Sequence, residues 1–191
     1  MKQIIGLLIV ISITSCADDP TPKPKAFLRL EYPEANYIKV ESDLPFTFEK
    51  NVLAKDNVTI KKTGNNESYG FDIEYPSLKG TIYLTYKKVN KDDLTMYLRD
   101  AQNFTQKHTQ KADEIIEQVY DNADRKVYGM FYEVGGNAAS QSQFYMTDSM
   151  NHFVTGSLYF YAKPNYDSIL PAADYLKKDI QHIMETLEWK Q

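Results

Sequence analysis

Residues 126–162 read KVYGMFYEVGGNAASQSQFYMTDSMNHFVTGSLYFYA. Runs rich in Val, Tyr and Phe at 126–134, 140–147 and 153–162 are separated by Gly135-Gly136-Asn137 and by Asp148-Ser149-Met150-Asn151. A further run at 115–120 reaches them through Asn122-Ala123-Asp124. β-Branched and aromatic residues suit a pleated, half-buried surface. Short polar or glycine links join antiparallel neighbours, because a parallel return needs a long crossover. These four segments predict an antiparallel meander, and the rest of the fold follows from it.

Upstream, 71–75 and 80–88 read as two more strands, closed into a hairpin by Pro76-Ser77-Leu78-Lys79. Ile82, Leu84 and Tyr86 alternate with Thr81, Tyr83 and Thr85, so they point to opposite faces. Segments 37–40 and 46–49 predict short strands around Pro45, and 61–69 (KKTGNNESY) is a polar turn. Between hairpin and meander the period changes. Over 90–108, Leu94, Tyr97, Leu98, Ala101, Phe104, Thr105 and His108 recur at helical spacing. Asn90 and Asp93 suit the start of that helix. Downstream, Ile169, Ala172, Ala173, Leu176, Ile180, Ile183, Met184 and Leu187 form one helical stripe. Asp167 or Ser168 is the expected cap, and Pro171 is tolerated in the first turn. The fold class is α+β: an antiparallel β-sheet with one internal helix and a long C-terminal helix packed on it. That order is similar to the PsbP/Mog1-like folds, a topological likeness silent about activity.

The chain has 191 residues, with 22 Lys and Arg against 26 Asp and Glu. A net charge of −4 gives no basic face for nucleic acid. One cysteine excludes an internal disulfide framework and a thiolate zinc cluster.

That cysteine closes the N-terminal stretch MKQIIGLLIVISITSC. Residues 4–13 are an apolar run about 15 Å long as a helix, half the ~30 Å hydrocarbon core. It fits the apolar part of a signal peptide better than a membrane span. Ile13-Thr14-Ser15-Cys16 resembles the bacterial lipobox, whose cysteine receives acyl chains, palmitate among them. The expected organisation is a lipoprotein signal peptide at 1–15, lipidated Cys16 with a Pro-rich tether at 16–26, and a single α+β domain at 27–191. Several acyl chains give stable anchoring where one gives marginal binding. Ala17 after the cysteine, where Asp would favour inner-membrane retention, points to the outer membrane, with the leaflet open. Pro20, Pro22 and Pro24 favour an extended tether reaching about 28 Å at ~3.1 Å per residue.

Catalytic readings fail on spacing. His108, His152 and His182 have no repeated metal-ligand partner, and Asp92-Asp93 suits a helix N-terminus. Ser140 lacks a nucleophile-elbow frame, and no Lys-Ser/Thr follows the glycines. No enzyme activity, cofactor or metal is expected. The 15 tyrosines matter more. Alternation puts Tyr159 and Tyr161 opposite Phe160, so the aromatics cannot all share one core. Either helices cover one face only, leaving the other face or a groove for a partner, or the use is wholly structural. The candidate interaction residues are Tyr128, Tyr132, Gly135, Gly136, Asn137, Tyr145, Tyr159 and Tyr161. Ser149 and Ser168, each in an Asp-Ser-aliphatic tripeptide, are candidate O-glycosylation acceptors.

VYGMFYEV at 127–134, GGNAASQSQFYMTD after it, HFVTGSLYFYAKPNYDSILPAADYL and DIQHIMETLEW resemble the gliding-motility lipoprotein GldD family. KPKAFLRLEYP at 23–33, TIYLTYKKV at 81–89, YLRDAQNFTQKH at 97–108 and Cys16 fit the same pattern. The resemblance implies an envelope lipoprotein required for gliding and for the associated type IX secretion machinery. It implies no reaction and no catalytic residue. A protein-interaction or assembly role, with other gliding and secretion envelope proteins as partners, is the expectation. The alternative is a module that binds glycan, peptidoglycan or another ligand through the same aromatics.

Overall fold

The computed structural model describes residues 30–41, 43–56, 58–62, 68–107, 112–161 and 166–190. The signal peptide, Cys16, the tether and His108 lie outside the described residues.

Strands β1 (Tyr37–Lys39), β2 (Phe46–Thr47) and β3 (Glu49–Asn51) come first, then β4 (Thr59–Lys62), β5 (Ser68–Tyr75) and β6 (Gly80–Lys88). Helix α1 (Lys91–Gln106) follows, then β7 (Ala112–Asn122), β8 (Val127–Gly136), β9 (Ser142–Thr147) and β10 (His152–Phe160). Helix α2 (Tyr166–Thr186) and β11 (Glu188–Trp189) end the chain. The main sheet has seven antiparallel strands in the order β4-β5-β6-β10-β9-β8-β7. The meander and the hairpin are therefore present and join through β6 and β10. The short pairs β1-β3 and β11-β2 lie apart from it.

Alternation sorts the strands into two faces. Phe71, Ile73, Ile82, Leu84, Phe131, Phe144, Met146, Val154 and Leu158 turn one way and are buried with α2. Helix α2 contributes Ala172, Ala173, Leu176, Ile180, Ile183 and Met184, all buried, from the stripe read in the sequence. Burying one such large aliphatic side chain contributes roughly 1.5–3 kcal/mol. Gly156 is required here, because the Phe144 ring crosses it: a Cβ would stand 2.1 Å from that ring.

A polar clamp fixes the N-terminal strands to α2. Asp179, 1% exposed, accepts from Tyr37 Oη at 2.9 Å and from Asn51 Nδ2 at 3.1 Å. Burial raises its pKa, against the lowering effect of these hydrogen bonds. Tyr75 lies beside the same carboxylate, but its buried hydroxyl is outside hydrogen-bond geometry. His182 stacks on Tyr37 at 3.5 Å and meets Glu49 Oε2 at 2.8 Å. His152 meets the Tyr86 hydroxyl through Nδ1 at 2.8 Å and stacks on Trp189. Both histidines are thus engaged in a ring stack and a side-chain hydrogen bond.

Three expectations shift. Strand β4 runs to Lys62 and β5 starts at Ser68, so both reach into 61–69, which reads as a polar turn, because their pairing overrides the weak local signal. Helix α2 begins at Tyr166, which puts Asp167 and Ser168 within its first turn. Helices lie on both faces of the sheet, not on one: α1 crosses the face opposite α2, tied by Thr105 to Gln143 and by Tyr97 stacked on Phe153.

Candidate functional site

The second face carries the other half of each alternation: Tyr83, Thr85 and Lys87 from β6, Phe153, Thr155, Ser157 and Tyr159 from β10, and Gln143 and Tyr132 from the meander. Asn90 starts α1 by accepting from the backbone N–H groups of Asp92 and Asp93, each at 3.0 Å. The helix then crosses this face with Tyr97, Asp100, Ala101, Phe104 and Thr105. Among the described side chains of α1, Thr105 alone is fully buried. Between helix and sheet lies a groove of about 330 Å³ walled by these residues.

Its walls are aromatic. Tyr97 stacks on Phe153 with centroids 5.9 Å apart, Tyr145 stacks on the same ring at 5.8 Å, and Tyr83 meets Tyr159 edge-on at 5.8 Å. Lys87 Nζ sits 4.3 Å over the Tyr97 ring. Burial pushes the Tyr132 phenol up to about 12 and also raises Tyr145 and Tyr159. A hydrogen bond with Tyr161, then burial, pushes Tyr83 up to about 12. The phenols are neutral at physiological pH, suited to donating hydrogen bonds and unsuited to serving as bases.

The floor is polar. Gln143, 3% exposed, accepts from the Thr105 hydroxyl at 3.0 Å, while its Nε2 is buried without a partner. Thr105 has one hydroxyl proton and a second acceptor, the Ala101 carbonyl at 3.3 Å. Turning the Gln143 amide over lets it donate to Thr105, which donates to Ala101, and then the amide oxygen lacks a partner. In both orientations one polar end of a buried amide is unmatched beside the groove. Such a group costs about 1–3 kcal/mol.

Of the candidate residues, Tyr132 and Tyr159 line the groove; Tyr128 and Tyr145 share its face. Tyr161 shares that face at its rim, 67% exposed, with its hydroxyl 2.8 Å from that of Tyr83. Gly135 and Gly136 lie in β8 paired with β7, so the turn starts at Asn137. Gly136 has φ 90°, and a Cβ there would meet the Asp113 N–H. Asn137 Oδ1 accepts from the Tyr166 N–H at 3.1 Å, satisfying the start of α2. Ser149 is exposed with φ 66°, in a link organised by three backbone donors to Asp148 Oδ1. Ser168 is exposed in the first turn of α2. Sequence reasoning passed over Gln143, Asp100 and Lys87. A glutamine inside a strand of Phe and Tyr was the readable signal. Among the described residues no group of three or more His, Cys, Asp or Glu could hold a metal ion.

Fold and groove define an α+β module built on a mostly antiparallel sheet, with a hydrogen-bonding aromatic cleft. The family model for the gliding motility lipoprotein GldD matches residues 17–189, and the chain belongs to that family. No curated protein and no solved structure matches it. Membership implies membrane anchoring through lipid, and no helix among the described residues is long and apolar enough to cross a membrane.

Proposed function

We propose that the chain is a non-catalytic assembly component of the gliding machinery and the associated type IX secretion apparatus. Acyl chains on Cys16 hold it to the outer membrane, and the Pro-rich tether lets the domain reach its partners. The observation that carries this reading is the groove of about 330 Å³, walled by aromatic rings whose neutral phenols can donate hydrogen bonds. The order strands, helix, meander, terminal helix supports a PsbP/Mog1-like topology.

The same observation favours a second reading, a glycan or peptidoglycan fragment in the groove, since phenol rings and amides suit sugar faces and hydroxyls. Two experiments separate the readings. Cys16→Ala should move the protein out of the membrane fraction and stop colony spreading. Replacing Tyr97, Tyr132 and Tyr159 together by Phe keeps the rings and removes the hydroxyls. The assembly reading expects reduced spreading with the lipoprotein still in the membrane and no calorimetric signal from peptidoglycan fragments. A saturable signal abolished by the triple variant selects the second reading. Full spreading by both variants contradicts the first.

A further inference from the structure

The two edges of the main sheet are unlike. Strand β4 is four residues long and carries Lys61 and Lys62, with Lys61 paired to Asp72 at 2.6 Å. Short length and lysine are the usual guards against stray strand pairing. Strand β7, at the other edge, has 11 residues and contains no Lys, Arg or Pro. Its register with β8 shifts between Ala112 and Glu114 and then runs unbroken to Asn122, about 30 Å of edge at ~3.4 Å per residue. About half of its backbone N–H and C=O groups point away from β8. Val119 is 77% exposed and Ile116 42%. Glu117, Val119 and Asp121 share the face that carries Tyr132 and Met130. Asp113, Glu114, Glu117 and Asp121 are exposed, and none has an ion-pair partner among the described residues.

We propose that the β7 edge binds an extended segment of a partner protein by strand addition, and that it selects a basic strand. Backbone pairing supplies affinity, and alternate side chains supply choice. Glu117, Val119 and Asp121 lie two residues apart on one face. The complementary strand therefore reads basic, any residue, apolar, any residue, basic. A second copy of this chain is a poor occupant: antiparallel pairing centred on β7 sets Glu117 opposite its own copy, and like charges directly opposite repel. No residue of β7 lines the groove, so this proposal stands whether or not the groove is used.

The test uses the full lipoprotein in detergent micelles and two ten-residue peptides. One is built around Lys-Thr-Val-Thr-Lys, the other around Glu-Thr-Val-Thr-Glu. Hydrogen exchange should slow at least tenfold within 113–121 on adding the lysine peptide. That peptide should bind at least tenfold more tightly than the glutamate peptide. Glu117→Lys with Asp121→Lys should reverse the preference, and Val119→Pro should abolish binding of both. All three residues are exposed, and circular dichroism checks that the variants fold. The groove-filling Ser157→Trp variant should bind the lysine peptide as the native chain does. Equal binding of the two peptides overturns the proposal. So does protection confined to α1 and β10, an unreversed preference in the charge-swapped variant, or dimerisation through β7.

Discussion

Helices α1 and α2 lie on opposite faces of one sheet, and they are held in different ways. Helix α2 buries six apolar side chains and Asp179. Helix α1, among its described side chains, fully buries Thr105 alone and covers a polar-floored groove. The same strands supply both surfaces, since their residues alternate. Stability is concentrated on the α2 face. The α1 face keeps the Tyr83, Tyr97 and Tyr159 rings partly exposed beside the exposed Asp100, where they are available to a ligand.

The sharpest way to break this contrast is to truncate equivalent leucines. Leu176→Ala on α2 should cost about 3–5 kcal/mol, since a fully buried leucine leaves a cavity. Leu98→Ala on α1, half-buried, should cost under about 1.5 kcal/mol. Urea unfolding gives both values, and equal costs would erase the distinction. Asp179→Ala comes next, at about 2–3 kcal/mol, because Asn51 and Tyr37 are left without their acceptor. Its pH dependence has a definite sign. The folded pKa of Asp179 is raised, so its contribution is complete below about 3.8 and falls as pH rises through the folded value. Relative to an Asp179→Asn variant, the native chain should gain stability on acidification in that window.

Native-state hydrogen exchange sharpens the comparison further. Amides of α1 should open locally and exchange well before those of α2, which should exchange near the global limit. Similar protection in both helices would show that α1 is as firmly seated. The smallest effect belongs to Gln143→Met. It removes the unmatched amide end while filling the space, so stability should change by under about 1 kcal/mol in thermal melts. Any binding in the groove should fall. A loss of several kcal/mol would make Gln143 a structural residue.

Elements with a strong period were legible in the sequence. The α2 stripe, the hairpin around Pro76 and the meander stand where alternation and 3.6-residue spacing put them. Asn90 was readable as a helix start because one side-chain oxygen meets two orphan N–H groups. Strand β4 was not, since its residues resemble a turn until β5 lies beside them. Nor was the cap of α2, which Asn137 supplies from a distant loop. The Asp179 clamp joins residues 142 apart in sequence, and no local pattern announces it. In the candidate site, alternation marked the tyrosines, but which of them share a cleft depended on where α1 crosses. The identity of Gln143 as the floor required its pairing with Thr105.

The central claim is that the groove under α1 is used. Ser157→Trp fills it from the sheet side and leaves the α2 core untouched. With the melting temperature and membrane location unchanged, cells carrying this variant should lose colony spreading. Spreading at the native rate with the groove filled would contradict the account.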